Sequence, residues 1–278
     1  MDREARPDNV RRGDGPEQVD STQPQGEAIP VTHLSRREFV SGLAAAVAVP
    51  HPMRPARPLP PASRWAARPV AVASANGLRG VQKAAELVLQ GIDPLDAAIE
   101  GVKIQELDPK DMSVGYGGLP NGTRPTGTVN LDVVTPTGDI ASVTTTSGLA
   151  WKIPGRVGDS AIIGAGQYTD NDVGAAGSIG RGESNIKVCG GFLTVEFMRR
   201  GMKPTDACLE ALKRVVTTTE PRLLGESGRP RFDLSFFAVN KRGEFGGASL
   251  YPSRFAAFDG TGAKLADAAS VFEGRPPR

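Results

Sequence analysis

The chain has 278 residues, with 33 basic and 31 acidic side chains, and 34 of its residues are glycine. This near balance of charge argues against a protein that binds nucleic acid through a clustered basic surface. A hydrophobic content of 39% together with frequent glycine is typical of a turn-rich globular enzyme, and not of a coiled coil or a collagen.

Histidine and cysteine limit the chemistry that the chain can perform. Both histidines, His33 and His51, precede the part that we expect to fold, so that part has no histidine base and no histidine ligand for a metal. Two cysteines, Cys189 and Cys208, are too few for a structural zinc site made of cysteine alone. We therefore expect no metal and no cofactor. A hydroxyl nucleophile would need a lysine or a free α-amine as its base.

The N-terminal part of the chain is predicted to be an export signal. It begins with polar, proline-rich sequence whose composition cannot bury enough surface to fold alone. Arg36 and Arg37 precede a weakly apolar stretch over 40–49, which matches a twin-arginine signal and is too short to span a membrane. We assign 1–49 to the signal and 50–67 to a Pro/Arg/Ala-rich linker. The expected location is periplasmic or extracellular, with no membrane segment in the mature form.

From residue 68 onward, the apolar pattern predicts helices and strands in an α+β order. The predicted elements are a strand at 70–73, helices over 81–90 and from 94, strands at 128–135 and 140–146, helices over 186–200 and 204–216, and strands at 232–239 and 245–250. This order predicts helices that cover an antiparallel sheet or a pair of sheets. Cys189 and Cys208 would be buried thiols on adjacent helices, and their spacing does not decide whether they form a disulfide.

The Gly127-Thr128 pair is a candidate source of the nucleophile. A Ser, Thr or Cys that becomes the first residue of a chain carries its own base, because a free α-amine has a pKa of roughly 7.7–8.0. Gly127 permits an unusual backbone conformation, and Thr128 begins a β-branched strand after a loop rich in Pro, Gly and Thr. Taken alone, the pair indicates only the start of a strand.

A much longer motif surrounds this pair. From Thr128 onward, TVNLDVVTPTGDIASVTTTSGLAWKIPGRVGDSAIIGAGQYTDNDVGAAGSIGRGE resembles the glycosylasparaginase and plant-type asparaginase family of N-terminal-nucleophile hydrolases. The resemblance continues through CGGFLTVEFMRRGMKPTDACLEALKRV, and SANGLRGVQKAAELVLQGIDPLDAAIEGV and DMSVGYGGLPN are similar to the start of that family's α-subunit. It implies a layered αββα sandwich, with 68–127 as the α-subunit-like part and 128–278 as the β-subunit-like part.

The resemblance implies a role for each residue that matches the catalytic motif. Thr128 would be the nucleophile, exposed by self-cleavage of the Gly127–Thr128 bond. Thr146 would be the second threonine, which hydrogen-bonds the nucleophile, and Gly180 would offer its backbone N–H to the oxyanion.

The GRVGDS motif would hold the substrate. By resemblance, Arg156 clamps the α-carboxylate of the substrate and Asp159 holds its α-ammonium. These roles also make physical sense, because a guanidinium fits a carboxylate with two hydrogen bonds and a carboxylate pairs with an ammonium. The alternative is that Arg156 and Asp159 form a salt bridge with each other in a glycine-rich turn.

Three features depart from the family pattern. Ile179 replaces a threonine whose hydroxyl would support the oxyanion beside Gly180, and Asn130 stands where many members have glycine. After 119–121, members usually continue through a long segment before the nucleophile, whereas here only 122–127 intervenes. Because this chain lacks that long segment, the αββα sandwich is either complete without it or incomplete.

Two functions from different classes remain open. The first is an exported, self-processing amidohydrolase that cleaves N4-(β-N-acetylglucosaminyl)-L-asparagine, L-asparagine or β-aspartyl peptides, with or without assembly of processed αβ units into a homo-oligomer. Arg156 and Asp159 would recognise the portion that these substrates share, so they do not choose among them. The second is a shortened, non-catalytic homologue that acts as a binding or assembly protein. Neither function calls for a nucleic acid.

Overall fold

The computed structural model of the protein describes residues 66–118, 127–149 and 152–277. The predicted export signal and nearly all of the predicted linker lie outside these residues, as does most of the short connection before Thr128.

A first five-stranded sheet contains the strand that begins with Thr128. In spatial order its strands are β3 (Ile140–Thr146), β2 (Thr128–Val134), β1 (Val70–Ser74), β8 (Arg254–Phe258) and β9 (Ala263–Asp267). All neighbours are antiparallel, and the β2–β3 register places Thr128 directly opposite Thr146. The central position of β1 means that the segment before the predicted cleavage point forms the middle of this sheet.

A second five-stranded sheet is built entirely from the part of the chain that follows Thr128. Its strands, in spatial order, are β10 (Ala269–Ser270), β7 (Phe245–Ser249), β6 (Leu234–Asn240), β5 (Gly174–Gly180) and β4 (Gln167–Asp170). The short β10 is parallel to β7, and the other neighbours are antiparallel.

Helices cover one face of each sheet. The helices are α1 (Leu78–Leu89), α2 (Pro94–Glu106), α3 (Gly182–Ile186), α4 (Gly190–Arg199) and α5 (Pro204–Thr217). α2 begins where the Asp93 carboxylate accepts a hydrogen bond from the backbone N–H of Leu95 at 2.8 Å. α1 and α2 pack closely because Gly80 and Gly101 face each other, and a Cβ on Gly80 would lie 2.9 Å from the Gly101 carbonyl oxygen.

Three apolar clusters hold these layers together. In the first cluster, helix side chains such as Val81 of α1 pack against side chains of the first sheet such as Leu131. In the second cluster, side chains of α4 and α5 such as Leu212 pack against side chains of the second sheet such as Phe236. A third cluster takes residues from both sheets, with Val134 and Phe237 among them. The predicted α+β class is therefore confirmed. The αββα sandwich remains our interpretation of this layering.

The structure adds β4 and β5 to the predicted elements and differs from them in two further regions. The predicted helix over 186–200 is split, because Cys189 adopts a left-handed conformation (φ 49°) between α3 and α4. Cys189 is exposed, so the expectation of a buried thiol is wrong for this residue. Cys208 is buried as expected, and both cysteines are free. Residues 254–270 form three strands although the sequence pattern predicts none there, because small and charged side chains interrupt the apolar alternation.

Asp132 is a carboxyl group buried between the sheets. Thr128, Asn130 and Asp132 point to the same face of β2, and Asn130 lies against Gly177 of the second sheet, where a Cβ would come within 1.8 Å of its side chain. Asp132 is fully buried, and neither of its oxygens makes a hydrogen bond of normal geometry. Burial raises the pKa of Asp132 to about 7. The polar side chains of Ser142 and Asn130 lie near the carboxyl group and lower this pKa, but they offset only part of the rise.

Replacing this carboxyl group should change how stability depends on pH. Because the pKa of Asp132 is higher in the folded state than its reference value of 3.8, the folded state holds a proton that the unfolded state has released. The stability that this proton confers is complete below pH 4 and is lost as the pH rises to about 7, a loss on the order of a few kcal/mol. Asp132→Asn cannot ionise, so its free energy of unfolding in urea should vary less between pH 4 and 8.

The exposed Asp267 gives the matched control, and Asp267→Asn should follow the wild-type pH profile. At pH 8 the Asp132→Asn variant should be more stable than the wild type. An equally steep loss of stability in Asp132→Asn would show that another group causes it.

Candidate active site

One cavity of about 690 Å³ brings the predicted site residues together. It lies where the start of β2 and the end of β3 meet the loop that contains the GRVGDS motif and the end of β5. The residues predicted from the sequence that line it are Gly127, Thr128, Thr146, Arg156, Asp159 and Gly180. The fold therefore places residues that are up to 53 positions apart in the sequence around one volume of ligand size.

The two threonines form a hydrogen-bonded pair at the Gly127–Thr128 peptide bond. The Thr128 hydroxyl donates to Thr146 Oγ1 over 3.1 Å, and the Thr146 hydroxyl donates to the carbonyl oxygen of Gly127, also over 3.1 Å. The backbone N–H of Gly148 donates to Thr146 Oγ1 at 3.0 Å and fixes that side chain. A hydroxyl that could attack the Gly127 carbonyl is thus linked, through one other hydroxyl, to the oxygen of that carbonyl.

Residues that precede Gly127 in the chain fix the backbone on both sides of this peptide bond. The Ser74 hydroxyl donates to the Thr128 carbonyl oxygen at 3.0 Å, and Ser74 Oγ lies 2.6 Å from Asn76 Oδ1. Asn76 Nδ2 donates to Ser113 Oγ at 2.9 Å, while the N–H of Gly127 donates to the Ser113 carbonyl oxygen at 2.7 Å. Sequence reasoning missed these contacts, although all three residues lie in strings that carry the family resemblance.

Asp159 is held rigidly at the edge of the cavity. Its Oδ2 accepts hydrogen bonds from the Ser178 hydroxyl at 2.8 Å and from Asn185 Nδ2 at 2.7 Å, and the residue is only 7% exposed. Asn185 also donates to the Ala165 carbonyl oxygen at 2.8 Å. A Cβ at Gly182 would lie 2.5 Å from Asp159 Oδ1, so only glycine lets the start of α3 approach the carboxylate this closely.

Arg156 is oriented by a different acidic residue. Its Nε donates to Glu183 Oε1 at 2.8 Å, and this hydrogen bond lowers the pKa of Glu183. The terminal nitrogens lie over Gly158, where a Cβ would be 2.8 Å from one of them. Arg156 thus pairs with Glu183, and Asp159 has Ser178 and Asn185 as partners, so the alternative of a mutual salt bridge within the GRVGDS motif is not what the structure shows.

Several further residues of the cavity were not found from the sequence. Arg181 and Asp233 line it next to Gly180, and Lys152 lines it near Thr146, where its ammonium donates to the Ser147 carbonyl oxygen at 2.8 Å. Burial raises the pKa of Asp233. The alternation of glycine with charged residues over 180–183 is the signal that could have identified Arg181.

Ile179 leaves one side of the cavity without a hydroxyl. Its side chain lines the cavity, is partly buried and packs against the cluster between the sheets. Gly180 follows with φ 129°, a conformation that glycine adopts readily. Ile179 therefore offers the cavity no side-chain hydrogen-bond donor.

Among the described residues, no group of three or more His, Cys, Asp or Glu side chains could hold a metal ion. Within the same ranges, no helix is both long enough and apolar enough to cross a membrane.

Comparison with known proteins identifies the segment that contains the predicted site residues. Residues 121–225 match the model of the asparaginase family. This segment belongs to the asparaginase family. It contains Thr128, Thr146, Arg156, Asp159 and Gly180, so the resemblance inferred from the sequence is confirmed where the predicted site residues lie.

Relatives with two different names match part of the chain. An N(4)-(β-N-acetylglucosaminyl)-L-asparaginase of Elizabethkingia miricola is 39% identical over 141 residues, which is 50% of this chain and 40% of that protein. A probable isoaspartyl peptidase/L-asparaginase 3 of Arabidopsis thaliana is 36% identical over 121 residues, or 44% of this chain and 31% of that protein. An N(4)-(β-N-acetylglucosaminyl)-L-asparaginase of Rattus norvegicus is 36% identical over the same number of residues, covering 32% of its length. The matched part is less than half of each relative.

A methyl group at Gly182 should disturb the Asp159 carboxylate. In Gly182→Ala the new Cβ would displace Asp159 and weaken its hydrogen bonds from Ser178 and Asn185, so we expect a loss of about 1–3 kcal/mol of stability. Thermal or urea unfolding measures it. Gly262→Ala is the matched control, because nothing lies within 4 Å of its Cβ. Equal stability of the two variants would mean that α3 does not hold Asp159 as the structure indicates.

Proposed function

We propose that the protein is an exported, self-processing amidohydrolase that cleaves the side-chain amide of asparagine derivatives with Thr128 as its N-terminal nucleophile. The observation that carries the proposal is the hydrogen-bonded pair of Thr128 and Thr146 at the Gly127 carbonyl, in one cavity with Arg156 and Asp159. The names of the relatives support hydrolysis of an asparagine-type amide. An αββα layering and export by the twin-arginine route belong to the same proposal.

Self-processing would use the two hydroxyls in sequence. Thr128 Oγ attacks the Gly127 carbonyl carbon, and the Thr146 hydroxyl, which already donates to the carbonyl oxygen, stabilises the negative charge that develops there. The C–N bond breaks, its nitrogen takes the hydroxyl proton, and Gly127 becomes an ester on Thr128. Water hydrolyses this ester and leaves Thr128 with a free α-amine and a free hydroxyl.

The same hydroxyl would then act on the substrate. The α-amine of Thr128 takes the proton from Oγ as Oγ attacks the side-chain carbonyl of the bound asparagine derivative. The amine product leaves with that proton, and water hydrolyses the β-aspartyl ester. Arg156 would bind the α-carboxylate through its terminal nitrogens, since its Nε is held by Glu183, and Asp159 would bind the α-ammonium.

Ile179 sets the expected rate. The backbone N–H of Gly180 would face the oxyanion, but Ile179 supplies no second donor. Loss of one such donor commonly costs about 10²–10³-fold in rate. We therefore expect a slow enzyme.

A second candidate function is a non-catalytic binding or assembly protein. Ile179 and the short connection over 122–127 favour it, because both depart from the family pattern at places that would support catalysis. This candidate predicts no hydrolysis of an asparagine derivative, so the experiments below separate it from the enzyme.

Self-processing should be visible as two fragments on a denaturing gel. Purified protein should yield a piece that ends at Gly127 and a piece that begins at Thr128, confirmed by intact mass and N-terminal sequencing. Thr128→Ala lacks the attacking hydroxyl and should stay whole, whereas Thr128→Ser should still be cut. A wild type that remains one chain after long incubation would favour the binding protein.

Substrate anchoring should depend on both charged residues of the GRVGDS motif. Arg156→Ala and Asp159→Asn should each lower kcat/KM for a β-aspartyl amide by about 10²-fold, because one charged end of the substrate would be left without a partner. Arg156→Lys should also be impaired, because an ammonium lacks the planar fork. Arg200→Ala, on the exposed end of α4, is the control. Full activity of Arg156→Ala would disprove the anchoring role.

A further inference from the structure

We propose that Arg181 is a specificity-determining residue that binds a carboxylate on the leaving group. The preferred substrates would then be β-aspartyl amides of α-amino acids, rather than amides whose leaving amine is neutral. This inference rests on the proposed function and concerns the same cavity, on the side where the amine product would depart.

The position of Arg181 places it beside the reacting carbonyl. It follows Gly180 directly and lines the same cavity as Thr128. Its backbone N–H donates to the Asp233 carbonyl oxygen at 3.0 Å, which fixes the chain at the end of β5. If Gly180 faces the oxyanion, its neighbour is well placed to contact the group attached to that carbonyl.

The guanidinium of Arg181 lacks a close acceptor at one nitrogen. Its side chain is 30% exposed, and its Nε is buried without a hydrogen bond. Glu183 Oε2 lies 3.8 Å from that Nε, which is an ion-pair distance but too long for a hydrogen bond. A buried donor without an acceptor is costly. Binding of a ligand carboxylate that draws the Arg181 guanidinium out of this position and toward itself would therefore be favoured.

The Glu183 carboxylate already binds the guanidinium of Arg156. Its Oε1 accepts the hydrogen bond from Arg156 Nε at 2.8 Å, so two guanidinium groups share one carboxylate. Of the other acids at the cavity, Asp159 is predicted to hold the substrate ammonium. Oδ1 of Asp233 accepts the backbone N–H of Leu234 at 2.8 Å. Recognition of the Asp portion therefore leaves two cations of the cavity unused, Arg181 and Lys152, and the Lys152 ammonium already donates to the Ser147 carbonyl oxygen at 2.8 Å.

The size of the cavity leaves room for a second amino acid. A volume of about 690 Å³ exceeds what a single Asp portion occupies. A sugar could also enter this volume, but a glycosylamine carries no anion, and neither does ammonia. Of these leaving groups, only one with its own carboxylate gives Arg181 an anionic partner besides Glu183, which it shares with Arg156.

The test compares β-aspartyl-glycine with β-aspartyl-glycinamide, two peptides that differ only in the terminal carboxylate. The wild type should show a kcat/KM for the acid that is higher by about tenfold or more, chiefly through KM. Arg181→Gln should bring the ratio of the two values close to one, and Arg181→Lys should give an intermediate ratio. Arg200→Gln should keep the wild-type ratio.

Binding to the Thr128→Ala protein separates this inference from the proposed function. Calorimetry should show tighter binding of the acid than of the amide, and the preference should disappear when Arg181→Gln is added. If the wild type hydrolyses neither peptide but this preference is present, the hydrolase proposal fails and the role of Arg181 stands. Equal affinity for the two peptides, or a preference that survives Arg181→Gln, would overturn the role of Arg181.

Discussion

The antiparallel register between β2 and β3 is the constraint on which the candidate site depends. It sets Thr128 opposite Thr146, and so brings two hydroxyl groups that are 18 residues apart within 3.1 Å of each other. A shift of one residue would turn Thr128 to the other face of the sheet, because side chains alternate along a strand. The buried alternate residues Val129 and Leu131, which pack under α1 and α2, oppose such a shift.

The polar face of β2 carries a different kind of constraint. Behind the threonine pair lie Asn130, accommodated by Gly177, and Asp132, which has no hydrogen-bond partner of normal geometry. An all-apolar interface between the sheets would be more stable at neutral pH, since burial of an ionised carboxylate is unfavourable. The site and this polar face therefore share a strand, and a mutation at one can affect the geometry of the other.

Sequence reasoning succeeded where a long pattern or motif was available and failed where contacts between distant segments decide the outcome. The α+β class followed from apolar periodicity, and the family and the residues that meet at the cavity followed from a resemblance over long strings, including the one that begins at Thr128. The partner of Arg156 could not be predicted in this way. Glu183 is 27 residues away in the sequence and comes close to Arg156 only because the chain turns between β5 and α3. The exposure of Cys189 was missed for a similar reason, since its left-handed backbone conformation has no clear sequence signal.

The central position of β1 bears on what cleavage at Gly127 would leave behind. β1 precedes the cleavage point, yet it lies between β2 and β8, which both follow it. The two pieces would share one sheet, and their separation would require breaking both ladders of hydrogen bonds on either side of β1. Cleavage would thus yield a nicked protein that stays associated, in which the new chain end at Thr128 gains freedom to move while the strands around it do not. Once unfolded, the two pieces would have to find each other again, so unfolding of the processed protein would become dependent on concentration, whereas that of the uncut chain would not.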